Sequence, residues 1–300
     1  MNADAFKTYP DQVKIYELGA RDGLQAEKKI LTVEEKVSWI NGLTSCGYQA
    51  IEVGSLVNTK LIPQMVDTDK VFLSIDRKPE CQYFVLVGNK KYLHTALDIG
   101  VRNISLMGSA SNLFSLENTH ITLSESLTKI GEMLRVCKEN NIYTRVYVSC
   151  CYDCPYQGAI DNKEVIDVID RLMQLGCDEL SLADTTGKAT IIQVEHLLEA
   201  SMKIVPLEKL AVHFHNTYSQ AMVNTLVSLQ MGVNKVDSSV GELGGCPYAK
   251  NPLVSPEHQG NLGTEALLFM LHGLNINTGV SSEKVREMKQ YAFNALNRTN

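Results

Sequence analysis

Between residues 13 and 240, short apolar runs alternate with longer amphipathic stretches. The first run is Val13–Asp22 and the second ends in Ile51-Glu52-Val53. The others are Gln82–Val87, Asn103–Gly108, Tyr143–Ser149, Glu179–Asp184, Ala211–His215 and Lys235–Val240. Each has the length and side-chain content of a buried strand. Between them, Val33–Cys46, Lys90–Ile99, Leu123–Asn140, Lys163–Leu175, Ile191–Val205 and Ser219–Met231 carry apolar residues at helical spacing. A weak repeat punctuates the alternation. Cys46-Gly47, Ile99-Gly100, Leu175-Gly176 and Met231-Gly232 each close a helical stretch before a strand, where glycine takes the left-handed turn that stops a helix.

Alternating β and α elements predict a parallel sheet. Eight strands in one chain predict an α/β fold of the closed (β/α)8 TIM-barrel type. The alternative, an open doubly wound sheet, lacks the Gly-x-Gly-x-x-Gly expected after its first strand. No linker or shift of composition divides residues 1–300, so one catalytic barrel domain is expected. Residues 281–300 form a C-terminal helical segment outside the barrel count, patterned over Ser281–Leu296. Val57–Arg77 shows no clean helix.

In such barrels the C-terminal strand ends carry the chemistry, and polar residues collect there. His213 and His215 flank Phe214 on a strand, so both imidazoles face one side and the phenyl ring faces the other. Asp22 ends the first strand. If it meets the histidines, a two-histidine, one-carboxylate metal site with open positions results; otherwise the histidines are hydrogen-bonded strand residues and Arg21-Asp22 is a surface turn. In the metal reading, Arg21 is a fixed cation for a developing oxyanion. Glu52, set among apolar residues, needs a partner, and Arg21 on the neighbouring strand is the natural one. Asp184 closes the sixth strand either as a site acid or as a turn residue. Gly244-Gly245-Cys246-Pro247-Tyr248 puts a thiol on a glycine-hinged loop, where exposure suits a reactive cysteine. Cys150-Cys151-Tyr152-Asp153-Cys154 has half of a zinc pattern but no second half, and reads as a packed strand end.

Composition works mainly by exclusion. An apolar fraction of 44% is ample for a core, and a net charge of −6 gives no case for nucleic acid or anionic membrane. No run approaches a membrane span. The start has neither a secretory nor an arginine-rich transit pattern, and the end, Arg298-Thr299-Asn300, is not a peroxisomal address. Eight cysteines, mostly inside apolar segments, fit reduced thiols and a cytoplasmic location.

Taken together, the segments resemble the 3-hydroxy-3-methylglutaryl-CoA lyases, within a wider group of barrel metallolyases and Claisen-condensing synthases. The resemblance rests on Glu17–Gln25, Ile51-Glu52, Met107-Gly108-Ser109, Asp184-Thr185, His213-Phe214-His215, Gln230–Val233, Asp237–Val240 through Gly244–Ala249, Gly260-Asn261-Leu262 and Glu265. It runs nearly end to end, and the loop cysteine sets it apart from the synthases. It implies a divalent metal, Mg²⁺ or Mn²⁺, held by Asp22, His213, His215 and Asn261. It also implies enolate stabilisation by Arg21, Glu52 orienting Arg21 or a metal-bound water, Cys246 as general acid or base, and Asp184 and Glu265 as supporting acids. The substrate would be a CoA thioester cleaved to acetyl-CoA and acetoacetate. The partners would be this small molecule and, in a homodimer, a second copy of the chain. Three positions depart from the family pattern: Ala20 replaces a usual proline, Asn216 a common aspartate, and Thr186–Thr190 lacks extra glycines. Lys250–Gln259 is longer than the family version by about half a dozen residues and is expected to act as a lid over Cys246. Two other functions are weighed. A synthase condensing acetyl-CoA with a 2-oxoacid would share the Arg-Asp and His-x-His parts, and a non-catalytic barrel would serve as a binding protein.

Overall fold

The structure is a computed structural model, and it describes residues 9–246 and 260–298. Eight parallel strands close into a barrel: β1 Lys14–Glu17, β2 Ala50–Leu56, β3 Gln82–Val87, β4 Asn103–Ser109, β5 Tyr143–Ser149, β6 Glu179–Asp184, β7 Leu210–Phe214 and β8 Lys235–Ser238. Neighbours in the sheet are neighbours in sequence, and β1 closes the ring against β8 with Lys14 opposite Lys235 and Glu17 opposite Ser238. The expected barrel is thus the observed fold.

The surrounding helices are α1 Val33–Ser45, α2 Thr68–Ser74, α3 Lys90–Asp98, α4 Asn112–Thr119, α5 Leu123–Glu139, α6 Asn162–Gln174, α7 Ile191–Ser201, α8 Ala221–Gln230, α9 Thr264–Gly273 and α10 Ser282–Leu296. Local chemistry sets their ends. Thr32 with Glu35, Thr122 with Glu125 and Thr190 with Gln193 form capping boxes at α1, α5 and α7. The four repeat glycines, Gly47, Gly100, Gly176 and Gly232, all take positive φ past helix ends, as the repeat predicts. Val57–Arg77 resolves into a 3₁₀ turn at Pro63–Met65 followed by the seven-residue α2. α10 lies outside the barrel against α1 and α9, and at the α1 crossing a Cβ on Gly42 would fall 2.1 Å from the Met288 sulfur.

Side-chain alternation divides the core in two. Outward strand residues such as Ile15, Val146, Leu180, Val212, Phe214 and Val236 join the helices in the main apolar layer. The barrel lumen is polar. Arg145 is paired with Glu179 (Nε–Oε1, 2.7 Å) and with Asp237 (Nη2–Oδ1, 2.6 Å), and all three are essentially inaccessible to water. Lys235 (2.6 Å) and the Tyr16 hydroxyl (2.9 Å) complete Glu179. The Arg145 guanidinium lies between the rings of Tyr16 and Tyr147, 4.0 and 4.9 Å from their centroids. Buried charge persists only when matched in this way. This plug forms the floor beneath the strand ends.

Candidate metal centre and its neighbours

β1 leads into a π-helical turn, Gly19–Gly23, that carries Arg21 and Asp22 over the barrel mouth. Glu17, wholly buried, holds the turn. Its carboxyl accepts from the Gly19 and Val240 amides (2.8 and 3.0 Å) and from the Thr264 hydroxyl (3.0 Å), tying three segments together. Burial pushes its pKa up to about 7 against the pull of these donors. Arg21 donates from Nε to Glu52 Oε2 (2.5 Å) and from Nη1 to Asp22 Oδ1 (2.6 Å), the pairing that the sequence suggests. The Tyr147 hydroxyl also donates to Glu52 Oε2 (3.1 Å), and the Arg21 guanidinium lies 5.3 Å from the Tyr147 ring centroid.

His213 ends in the barrel mouth from β7, while His215 follows the strand and is bridged to Asn261 across an isolated antiparallel pair. Phe214 points away into the apolar layer. Asp22, His213 and His215 offer ligand atoms within 4.8 Å of one another, and they are the only such group of three or more among the described residues. The cysteine run at 150–154 is buried, as expected of a packed strand end.

Three observations test whether a cation fits. His213 Nδ1 faces the Asp237 carboxylate (3.2 Å) and His215 Nδ1 faces the Thr185 carbonyl (2.9 Å), so each Nδ1 carries the proton. The two Nε2 atoms then meet 2.9 Å apart on the Asp22 side of the barrel mouth, where one cation can take both as ligands. Asn261 donates through Nδ2 to Asp22 Oδ2 (2.6 Å) and the Leu243 carbonyl (2.9 Å), leaving buried Oδ1 without a hydrogen-bond partner. Gly244 lines the spot: a Cβ there would lie 2.4 Å from Asn261 Nδ2 and 2.9 Å from Asp22 Oδ2. Protonation states agree. Burial opposes ionisation of Asp22, but Arg21 and the two histidines outweigh it and hold the carboxyl at about 2. Burial, reinforced by His213, pushes His215 down to about 4, so its imidazole is neutral at pH 7. The donor set of carboxylate, amide oxygen and two imidazoles fits a divalent cation.

A family model described as HMGL-like matches residues 12–291. The human "3-hydroxy-3-methylglutaryl-CoA lyase, cytoplasmic" is 44% identical over 97% of this chain and 77% of its own length. The chain belongs to the HMGL-like family. The macaque (Macaca fascicularis) "Hydroxymethylglutaryl-CoA lyase, mitochondrial" is 42% identical to this HMGL-like chain over 99% of it and 90% of the relative. A hydroxymethylglutaryl-CoA lyase from Pseudomonas aeruginosa superposes with a TM-score of 0.93 at 38% identity, covering 97% of this chain and 95% of the other. An HMG-CoA lyase from Acinetobacter baumannii, solved with coenzyme A and 3-methylmalate, gives a TM-score of 0.90 at 29% identity over 100% of this chain and 94% of the other.

The remaining expected residues of this HMGL-like chain are placed less uniformly. Asp184 is buried, and its carboxylate accepts from the Lys188 and Ala189 amides (3.2 and 2.9 Å), holding the turn after β6. Burial pushes it up to about 7 despite these donors. Its backbone carbonyl meets the His215 amide, so it touches the cluster through the main chain. Glu265, at the start of α9, accepts the Gly241 amide (3.1 Å) and holds the segment that leads to Gly244 and Cys246. Cys246 is half-buried. The lid expected at Lys250–Gln259 lies outside the described residues. The sequence reading assigned no role to Glu17, Arg145, Tyr147 and Asp237. Glu17 and Asp237 carry one signal, their place in the Glu17–Gln25 and Asp237–Val240 segments of the family resemblance.

Proposed function

We propose that this chain is a divalent-metal-dependent carbon–carbon lyase that cleaves 3-hydroxy-3-methylglutaryl-CoA, or a close 3-hydroxyacyl-CoA analogue, to acetyl-CoA and acetoacetate. One observation carries the reading. Arg21 is fixed against Asp22 at 2.6 Å, beside two imidazoles whose Nε2 lone pairs converge. Asp22, His213, His215 and Asn261 would hold the ion, Mg²⁺ or Mn²⁺. When bound, it would supply Lewis acidity that lowers the pKa of a substrate hydroxyl.

The chain's own residues do the rest. Loss of the hydroxyl proton to solvent lets the O–H pair form the ketone of acetoacetate, and the breaking C–C pair moves onto the thioester α-carbon as an enolate; the proton that Cys246 later gives up is replaced from solvent. Arg21 meets that charge. Its Nε and Nη1 are occupied, while the Nη2 donors have no partner among the described residues. Glu52 and the Tyr147 ring fix its aim, so no reorganisation is needed as charge develops. Cys246 delivers the proton that completes acetyl-CoA, and Glu265 and Asp184 hold the backbone on either side. The names of the relatives and the coenzyme A bound to the Acinetobacter neighbour support an acyl-CoA substrate. A cytoplasmic location belongs to the same proposal. The name of the 44% human relative supports it, although other relatives are named mitochondrial.

The test is acetoacetate release from 3-hydroxy-3-methylglutaryl-CoA by the purified protein, before and after chelation and after return of Mg²⁺ or Mn²⁺. Loss with chelator and recovery with either ion is expected. Full turnover in a metal-free sample would overturn the metal assignment. Release of free CoA from acetyl-CoA plus 2-oxoacids, without cleavage, would favour a synthase.

A further inference from the structure

The two histidines are anchored by unlike acceptors: a neutral carbonyl for His215 and a carboxylate for His213. That carboxylate, Asp237, cannot move. Arg145 grips both its oxygens (2.6 and 3.1 Å), and the Ser181 hydroxyl adds a third donor to Oδ2 (3.1 Å). Arg145 is itself held by Glu179 at 2.7 Å, and its Nη1 reaches the Tyr147 hydroxyl at 3.1 Å. The His213 ring stands edge-on to Tyr147, with centroids 5.9 Å apart. A carboxylate locked this way can only accept, so His213 is confined to one tautomer and one ring orientation, with Nε2 presented to the site.

We propose that Asp237, clamped by Arg145, is a positioning residue that sets metal affinity through His213 alone. This rests on the metal assignment above. The experiment uses Mn²⁺ as the probe, titrated into the chelated protein and followed by the electron paramagnetic resonance of free Mn²⁺. Asp237→Asn keeps the side-chain size but can turn a donor toward Nδ1, and it should weaken binding ~10–100-fold. The decisive readout is a pair of backgrounds. In His213→Ala, adding Asp237→Asn should change the dissociation constant by less than about twofold, because the residue it acts through is gone. In His215→Ala it should keep its full effect. A purely structural role would be felt equally in both, and that outcome overturns the proposal. If Asp237→Asn does not fold, Arg145→Met/Asp237→Asn removes both charges while Glu179 keeps Lys235; the same cycle then decides. Wild-type protein that binds no Mn²⁺ would sink the metal assignment itself. Wild-type binding with equal effects in the two backgrounds would sink only the role of Asp237.

Discussion

Arg21 shows how much of the proposed chemistry depends on aim rather than charge. Its guanidinium is pinned on two edges by Glu52 and Asp22 and has Tyr147 below it. Arg21→Lys keeps the cation and loses the fork. The enolate exists only along the reaction path, so kcat should fall by ~10²-fold or more with little change in KM; a rise in KM at constant kcat would make Arg21 a binding residue instead. Cys246→Ala should keep its Mn²⁺ and its unfolding midpoint and lose ~10²–10⁴-fold in turnover, the usual scale for a general acid. Substrate should slow alkylation of the wild-type thiol. The Arg21–Glu52 pair and the two histidines were legible in the sequence, because strand alternation and adjacency dictate what they face. Asn261 was reached only through resemblance, since nothing local marks that asparagine. Arg145 and Asp237 were not legible as a pair. They lie 92 residues apart and meet only because β5 and β8 face each other across the closed lumen.

At the scale of elements, the strands and most helices follow from periodicity, and the exceptions have physical causes. α2 is one seven-residue stretch behind a proline turn, too short to show a stripe. α9, Thr264–Gly273, is apolar almost all round, with Phe269 85% exposed, so no amphipathic pattern marks it. The site depends on what these elements let approach. Gly244, at φ +102°, admits Asn261 and Asp22 to the same spot. Gly244→Ala should therefore weaken Mn²⁺ binding more than ~10-fold, in addition to about 1–3 kcal/mol of backbone strain. Gly100→Ala is the matching control. It has φ +82° with open space around the added Cβ, so it should lose comparable stability and leave Mn²⁺ affinity unchanged. Equal Mn²⁺ affinities in the two variants would show that Gly244 matters only as a turn.

For the molecule as a whole, the raised pKa of Glu17 has a definite sign. A buried carboxyl near 7 that returns to about 4.5 on unfolding holds its proton longer in the folded state. Its contribution to stability is therefore greatest below 4.5 and is lost as pH rises through 7, with a slope of at most ~1.4 kcal/mol per pH unit. Glu17→Gln cannot titrate. In urea unfolding the difference between variant and wild type should drift in the variant's favour from pH 5 to 7 and level off above that; a constant difference would mean that Glu17 stays ionised in the fold. The closure of β1 on β8 has a consequence for the order of events during folding. Asp22 and Asn261, which share a hydrogen bond, are 239 residues apart, so no emerging or half-folded chain can trap the ion with the full ligand set. The ring must shut first. Added Mn²⁺ should leave the refolding rate of the denatured chain unchanged while slowing its unfolding, since the full ligand set exists only once the ring is shut. Stopped-flow jumps in both directions, with and without the ion, would show the asymmetry, and accelerated refolding would mean that a partial site forms before the barrel is complete.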